Sequence, residues 1–451
     1  MTCRHARGPH YESINEKSRT VRLGTVNDEG VAHDGEMSVV PSRDRGKSLE
    51  HRAQSVLFVT TSFPRFSGDY AGTCVFNLAK YLTRDGMVVS VVCPGAPGYP
   101  EYEEMHGIAV HRFQYFLPAN KQCLAYGDGR EIMGNLRSFW LARFQLPIFL
   151  GSMFLSVLRR QREFDLVHCH WLPTAVVAKA ARFIGRSPKP IVFSNWGDDT
   201  RGFPKKLLGR MLKHINGLMP TSVEMEAHLK AAGCKGHRRI EIPIDEERFQ
   251  SQTVSNDLRQ ELGVSESIPI LAFVARLTEI KDPLNFIGAC DHLRRDGLKF
   301  LAVVAGDGDL MTHCRCEIDA RGLDHHVRLL GMRSDAERLL KIACLSAHTS
   351  AFDNVWSTTI GEAMCMDVPV VLTDAGYTRQ IFTNEQDCLL VPPRNHRALA
   401  DAMRRIVNEP FLGIRLAAGA RQLLKRMRKD ATSIVQDTRE YYDQVVARVA
   451  D

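Results

Sequence analysis

The sequence predicts an α/β protein made of two doubly wound, parallel-sheet domains, and three observations support this. The length of 451 residues corresponds to two or three domains. In both halves, short apolar runs typical of buried strands alternate with segments of helical periodicity. Polar or glycine-containing segments follow several of these runs, where open parallel sheets bind their ligands.

In the first half, the alternation begins with the apolar run 55–63, which predicts a strand that ends at a proline. Residues 73–86 have helical spacing, and 87–95 form a second apolar run, so the three segments predict a βαβ unit. Further strands are expected within 107–115, 164–170, 190–196 and 217–222. Residues 117–137 are irregular and predict a long loop that faces a ligand.

In the second half, the same alternation restarts after a polar linker near residues 250–266. Strands are expected within 269–276, 298–309, 326–331 and 368–372. We therefore expect a polar extension at 1–52, one Rossmann-like domain at 53–255 and a second at 256–425. A C-terminal helix at 426–451 is expected to pack back on the first domain.

Composition and charge exclude several classes of function. A net charge of +7 is too small for its length to argue for nucleic-acid binding. The 12 cysteines are scattered and contain no CxxC pair, which favours a reducing cytoplasm. His168-Cys169-His170 has the residue types of a metal site, but a structural role is favoured because no further ligands lie nearby. The N-terminus lacks the apolar core of a secretory signal.

One apolar stretch raises the question of membrane contact. Residues 146–158 are too few to span a bilayer, which takes ~20 residues. Arg159-Arg160 follow this stretch, and Lys205-Lys206 precede another apolar segment. Two interpretations stay open: peripheral contact with an anionic leaflet, or buried helices with solvated basic ends.

Most of the candidate binding and catalytic residues lie in the second half of the sequence. Arg276 and Lys281 flank the loop after its first strand, where two cations can hold a diphosphate. The motif that begins at Gly306 allows close backbone approach to a ligand, although ordinary turns use the same residues. Glu362 starts a helical segment, where it can accept hydrogen bonds from a ribose diol or simply favour the helix dipole.

The order of these motifs resembles the retaining, family-four (group 1) glycosyltransferases of the GT-B fold. In the C-terminal half the motifs are a strand followed by Arg-x4-Lys, then Gly-Asp-Gly, then a serine-containing loop with Glu-Ala-Met and VPVV. In the N-terminal half, TTSFPRFSGDYAG, DLVHCHW, NWGDD and RRIEIPIDEERF are similar to the family's segments that face the ligand. The resemblance covers roughly residues 55–425. It implies two Rossmann-like domains that face each other across a cleft.

The resemblance also implies roles for particular residues. Arg276 and Lys281 would hold the diphosphate of a nucleotide sugar and stabilise the leaving group, so that neither a metal nor another cofactor is needed. Glu362 would hold the ribose, and Gly306 would approach the donor. Front-face attack with leaving-group assistance is the implied route to retention. Gly68 and Gly72 would let the N-terminal loop close over the phosphates.

The chain departs from the family pattern at two positions. The family has a glutamate eight positions before the residue that matches Glu362, and here that position is Asn354, which we assign to donor binding; a shift of one residue would bring in Asp353. The family often has histidine where this chain has Trp196. Sugar or acceptor handling there is expected from Asp198 or Asp199, and Asp199 is assigned to the catalytic set.

These residues together predict a cytoplasmic hexosyltransferase-type enzyme of polysaccharide or glycolipid biosynthesis. Its expected partners are a UDP- or GDP-sugar donor and a carbohydrate or lipid-linked acceptor. The departures keep two alternatives open. A non-catalytic GT-B partner subunit would bind nucleotide without turnover, and a nucleotide-sugar epimerase would turn over its donor without an acceptor.

Overall fold

The fold is that of a computed structural model, which describes residues 52–66, 68–69, 71–126, 132–196, 200, 202–250, 255, 257–352 and 357–450. The described residues lie in one compact unit, Ser48–Asp451. It contains a seven-stranded sheet and a six-stranded sheet. Each sheet has its own buried hydrophobic clusters, as expected for two domains.

The N-terminal sheet has the strand order β3-β4-β2-β1-β5-β6-β7. Its described strands pair in parallel, except that β3 runs antiparallel to β4. The central strands are buried along their whole length, as parallel strands covered on both faces must be. The strands are β1 (Ser55–Val59), β2 (Val88–Pro94), β3 (Tyr102–Met105), β4 (Ile108–Phe113), β5 (Leu166–His170), β6 (Ile191–Asn195) and β7 (Gly217–Pro220).

Helices connect these strands and cover the sheet, and their apolar residues recur at helical spacing. The first helix, for example, buries Val75, Leu78, Ala79 and Leu82. A 3-10 turn at Ala119–Lys121 lies in the segment after β4. The helices of this domain are α1 (Thr73–Arg84), α2 (Ile132–Ser138), α3 (Trp140–Arg160), α4 (Leu172–Gly185), α5 (Lys205–Leu212) and α6 (Val223–Ala231).

The C-terminal sheet has the order β10-β9-β8-β11-β12-β13, and its described pairs are all parallel. The order reverses beside β8, since β9 lies on one side and β11 on the other. Such a switch point is where doubly wound sheets open a ligand crevice. The strands are β8 (Ile270–Val274), β9 (Leu301–Ala305), β10 (Val327–Gly331), β11 (Leu345–His348), β12 (Val370–Thr373) and β13 (Leu389–Val391).

Nine helices surround or follow the second sheet in the part of the chain that the structure describes. They are α7 (Leu258–Glu261), α8 (Pro283–Arg295), α9 (Met311–Ala320), α10 (Ala336–Ile342), α11 (Thr358–Cys365), α12 (Tyr377–Ile381), α13 (His396–Asn408), α14 (Pro410–Arg426) and α15 (Ala431–Ala450).

The last helix, α15, packs on the N-terminal domain although it follows the C-terminal one. The Tyr441 hydroxyl accepts a 2.8 Å hydrogen bond from the backbone N–H of Leu218 in β7. The Tyr442 hydroxyl lies 2.6 Å from His168 Nδ1 in β5. Both tyrosines are buried within the N-terminal core. The chain therefore crosses between the domains twice, once in each direction.

The structure confirms the predicted fold class of two parallel-sheet α/β domains. The predicted strands all occur, with shorter bounds. The antiparallel strand β3 was not predicted, because its alternating polar residues lack the apolar signature of the buried strands. The segment 117–137 is also less loop-like than predicted, since it includes a 3-10 turn and most of α2.

Candidate active site

The carboxyl ends of β8 and β9 are held together at the switch point of the C-terminal sheet. Gly306 follows β9 with φ 150°, and a Cβ there would lie 1.8 Å from the carbonyl oxygen of Ala275. Only glycine fits this approach. The N–H of Leu277 donates to the Asp307 carbonyl at 2.9 Å, so the loop that carries Arg276 is tied to the Gly-Asp-Gly turn. The Arg276 side chain is exposed on this edge.

Lys281 lies on the same edge, one residue before the N-cap of α8. Its backbone carbonyl accepts a 2.8 Å hydrogen bond from the hydroxyl of Thr349, which follows β11. The N–H of Ala351 donates to the Ile280 carbonyl at 2.9 Å. These bonds fix the Lys281 loop against the end of β11. Arg276 and Lys281 are therefore carried by one loop, as expected.

Lys281 also acts electrostatically on His348 at the end of β11. Burial, assisted by the positive charge of Lys281, lowers the pKa of His348 to about 3. His348 is consequently neutral, and its Nε2 lies 3.1 Å from the Ser346 hydroxyl. It lines a small pocket together with Ser350, Ser357 and Thr373. A positive charge, a neutral imidazole and several hydroxyl groups therefore lie near the ends of β11 and β12. They belong to Lys281, His348, Ser350, Ser357 and Thr373.

Glu362 lies in α11, beyond the first turn and not at the helix start predicted from the sequence, and is partly buried. Burial raises the pKa of its carboxyl to about 7; the positive charge of Arg248 opposes this rise, while Asp245 and Glu337 reinforce it. Arg248 is already bound to Glu337, with a nitrogen–oxygen distance of 2.6 Å. The carboxyl of Glu362 therefore titrates near pH 7. It lies near a charged cluster formed by Asp245, Arg248 and Glu337.

That cluster connects the two domains. Asp245 belongs to the segment before the linker, and it accepts hydrogen bonds from Lys80 at 3.0 Å and from Tyr81 at 2.8 Å, both in α1. Arg248, three residues later, donates to the backbone carbonyl of Ser334 in the C-terminal domain at 2.6 Å. The last turns of α1 and Glu362 are consequently held close to the same charged segment.

The glycine-containing loop before α1 approaches the C-terminal domain directly. Gly68 has φ 88°, and a Cβ there would lie 2.7 Å from the Cβ of Ser334. Gly72, at the N-cap of α1, has φ 63°, and a Cβ there would lie 2.2 Å from the carbonyl oxygen of Ser62. Gly68 therefore contacts the opposite domain, whereas Gly72 closes the turn that begins α1.

Asp69 organises this loop, and sequence reasoning missed it. Its carboxylate is 3% exposed and accepts hydrogen bonds from Arg65 Nε at 2.7 Å and from the Arg65 N–H at 2.9 Å. Burial would raise the pKa of Asp69, but the bonds from Arg65 outweigh burial and lower it. Asp69 follows Arg65 by four residues and lies between Gly68 and Gly72. This spacing was the signal that could have identified the Arg65–Asp69 pair.

Several predicted site residues cannot be compared with this geometry. Asp198 and Asp199 lie outside the described residues, as do Asp353 and Asn354. Within the described ranges, no group of three or more His, Cys, Asp and Glu side chains could hold a metal ion.

Two family models match the chain and together cover most of the described fold. The model described as Glycosyltransferase Family 4 matches residues 71–248, and the model described as Glycosyl transferases group 1 matches residues 254–432. The boundary between the matches coincides with the segment that joins the two sheets. This chain is a group 1 glycosyltransferase.

Similar proteins agree with that family. The glycosyltransferase is 24% identical to a Bacillus subtilis protein assigned to teichuronic acid biosynthesis, TuaC, over 78% of this chain and 89% of that protein. It is 26% identical to the D-inositol 3-phosphate glycosyltransferase of Frankia alni, over 62% of this chain and 75% of that protein.

Solved structures agree with the fold. Anabaena HepE, in complex with UDP and glucose, superposes with a TM-score of 0.66 at 20% identity, over 86% of this chain and 98% of that chain. Sucrose-phosphate synthase from Thermosynechococcus elongatus superposes with a TM-score of 0.70 at 17% identity, over 88% of this chain and 100% of that chain. At these identities the superpositions show the shared fold.

Trp196 has a structural environment in this glycosyltransferase. It is 7% exposed, and its indole N–H donates to His170 Nδ1 at 2.7 Å. His168 is fully buried between Tyr442 and Ser194, both 2.6 Å from its ring nitrogens. The side chains of His168, His170 and Trp196 therefore belong to the core of the N-terminal domain, which is the structural role favoured for the two histidines.

Proposed function

We propose that this enzyme transfers a hexose from a nucleotide sugar to a carbohydrate or lipid-linked acceptor, with retention and without a metal ion. The observation that carries the proposal is that Arg276 and Lys281 follow β8 while Glu362 lies in the helix that follows the neighbouring strand β11. Cations suit a diphosphate, and a carboxylate suits a ribose diol. Anabaena HepE, which has the same fold, was solved with UDP-glucose.

In this proposal, Arg276 and Lys281 neutralise the charge that develops on the leaving diphosphate. Gly306 brings backbone close to the donor, and Glu362 accepts hydrogen bonds from the ribose. Gly68 and Gly72 shape the N-terminal loop that closes over the phosphates. Asp199 and Asn354 complete the proposed set, by resemblance to the family. Retention is likewise proposed from that resemblance.

The proposed cellular role is polysaccharide or glycolipid biosynthesis in the cytoplasm, with peripheral contact at the inner face of the membrane. The relative TuaC of Bacillus subtilis supports the pathway, since it is assigned to teichuronic acid biosynthesis. UDP-sugars are the donors we propose first, and GDP-sugars second.

The donor can be identified by thermal unfolding with a panel of UDP-, GDP- and ADP-sugars. A ligand at about 100 times its Kd stabilises a protein by about 2.7 kcal/mol. At about 2–4 °C per kcal/mol for a domain of this size, that corresponds to a rise in Tm of about 5–10 °C. No rise with any of these nucleotide sugars would contradict the proposal.

The roles proposed for Lys281 and Glu362 in donor binding are tested by single substitutions. Lys281→Ala and Glu362→Ala should each lower donor turnover, and loss of the Lys281 cation should cost about 100-fold or more, as for other preorganised charges. Lys299→Ala is the matched control, because Lys299 is exposed and precedes β9 at the opposite edge of the same sheet.

Three results would contradict the proposal. Unchanged donor turnover in both alanine variants would remove the assigned site. Nucleotide binding without turnover of any donor and acceptor pair would instead indicate a binding subunit. Conversion of the donor sugar without an acceptor would indicate an epimerase.

A further inference from the structure

The outward face of α3 is unusually apolar for a surface helix. Trp140 is 77% exposed, Phe144 61%, Ile148 41% and Leu155 48%. The first three recur every four residues, so they line one side of the helix. Single exposed apolar residues are common, but a contiguous row of this kind marks an interaction surface.

The opposite face of α3 packs in the domain core. Ala142, Gln145, Phe149, Met153 and Val157 are buried there, at helical spacing. By length and composition alone, α3 is the one helix among the described residues that could cross a membrane. Its packed inner face contradicts a span and leaves the outer face free to lie on a bilayer.

The charges of α3 suit an anionic surface. Its 21 residues include three arginines and no acidic residue. Arg159 and Arg160 form its last turn, and Arg159 is exposed. Together with His111, they line a groove beside Leu155. Although Glu101 also borders this groove, the basic side chains are placed where the apolar row ends.

The other end of the row lies beside the proposed catalytic cleft. A short connection leads from α3 into the amino end of β5, so Trp140 lies toward the carboxyl edge of the sheet. The segment that precedes α2 is fixed at this same edge. There the Tyr126 hydroxyl donates to the carbonyl oxygen of Phe63, after β1, at 3.0 Å.

We propose that the outer face of α3 docks on an anionic lipid bilayer, with Trp140, Phe144, Ile148 and Leu155 in the headgroup–acyl boundary. The two terminal arginines contact anionic headgroups. This docking brings the acceptor side of the cleft to the membrane surface and so selects a lipid-linked acceptor. The selection of the acceptor rests on the proposed function, whereas the docking itself does not.

The docking is tested with the full-length protein and two kinds of vesicle, phosphatidylcholine alone and phosphatidylcholine with phosphatidylglycerol. Flotation should recover the wild-type protein mainly with the phosphatidylglycerol vesicles. The double variant Phe144→Glu, Ile148→Glu should bind about 10-fold or more weakly, because two anchors are lost and two negative charges are added.

A matched control is available on α14. Phe411 and Ile414 are 87% and 67% exposed, so Phe411→Glu, Ile414→Glu introduces the same charges elsewhere and should leave vesicle binding unchanged. Arg159→Glu with Arg160→Glu, a separate variant, should abolish the preference for phosphatidylglycerol. Equal binding by the wild-type protein and both α3 variants would overturn the proposal.

Two further measurements separate this proposal from other outcomes. Light scattering after size-exclusion chromatography should find the same mass for the wild-type protein and Phe144→Glu, Ile148→Glu. A wild-type dimer that this variant dissociates would show that α3 binds a second copy, and would overturn bilayer docking. Turnover of a soluble donor should be equal in both proteins, so a failure of docking does not count against sugar transfer.

Discussion

Glu362 shows how one carboxyl depends on its surroundings. The sequence predicts an acid in a helix beside a buried strand. The structure adds that burial and two neighbouring acids hold its pKa at about 7, while Arg248 is bound to Glu337. The carboxylate form accepts strong hydrogen bonds from a ribose diol at both oxygens, whereas protonation removes the charge and turns one oxygen into a donor. Donor recognition should therefore change with pH near neutrality.

We expect donor affinity to rise with pH between pH 6 and pH 8. With a pKa of about 7, the ionised fraction of Glu362 increases about 10-fold over this interval. Titration calorimetry with the donor at several pH values measures the effect. Glu362→Gln should bind weakly at every pH and lose the dependence. A wild-type affinity that is constant over this range would contradict the role of Glu362.

The same carboxyl should affect folding stability in the opposite direction. Its folded pKa lies above the ordinary value of 4.5, so the folded state holds the proton more tightly. Stability is then lost as the pH rises from about 4.5 to about 7. Glu362→Gln should consequently unfold at a higher urea concentration than the wild-type protein at pH 8.

At the scale of elements, the beginning of α1 depends on backbone geometry that only glycine tolerates. Gly72 is the N-cap in the left-handed region, with φ 63° and ψ 27°. The helix itself was predicted from the spacing of its apolar residues, and so were most of the other helices. The interlocked ends of β8 and β9 could not be predicted in this way, because they depend on backbone contacts between distant segments.

Gly72→Ala should displace the loop before α1 and impair donor turnover. Its Cβ would lie 2.2 Å from the carbonyl oxygen of Ser62, which is far too close. Gly86→Ala is the control, since Gly86 has a similar φ of 85° and open space around it. Kinetics should show a large loss for Gly72→Ala, whereas Gly86→Ala should lose only about 1–2 kcal/mol of stability. Equal losses in turnover would show that the loop is not constrained.

At the scale of the whole molecule, a buried ionic contact joins the two domains. Lys429, between α14 and α15, is 1% exposed and forms a salt bridge with Glu241 of the N-terminal domain. Its ammonium also donates to the Tyr377 hydroxyl of α12 at 2.7 Å. The returning chain thus connects both domains. Burial lowers the pKa of Lys429 to about 6, and removal of its amino group would leave Glu241 without this partner.

Lys429→Ala should lower the free energy of unfolding by about 3 kcal/mol. The reason is that removal of one member of the pair leaves the Glu241 carboxylate without a compensating partner. Urea denaturation followed by fluorescence measures this difference. Lys425→Ala, at an exposed position four residues earlier, should have little effect. A change of less than about 1 kcal/mol for Lys429→Ala would show that this contact contributes no more than a surface ion pair.

The sequence by itself determined the fold class and most of the strands along the chain, and it supplied the proposed site residues Arg276, Lys281 and Glu362. It could do so because apolar periodicity and the motifs around Arg276, Lys281 and Glu362 are local signals. The tertiary structure alone decided which groups face each other. Examples are Gly68 against Ser334, Glu362 near Arg248, and Trp196 with His170 in the core. These pairings join segments far apart in the chain, and burial and charge at such contacts arise only when the domains pack.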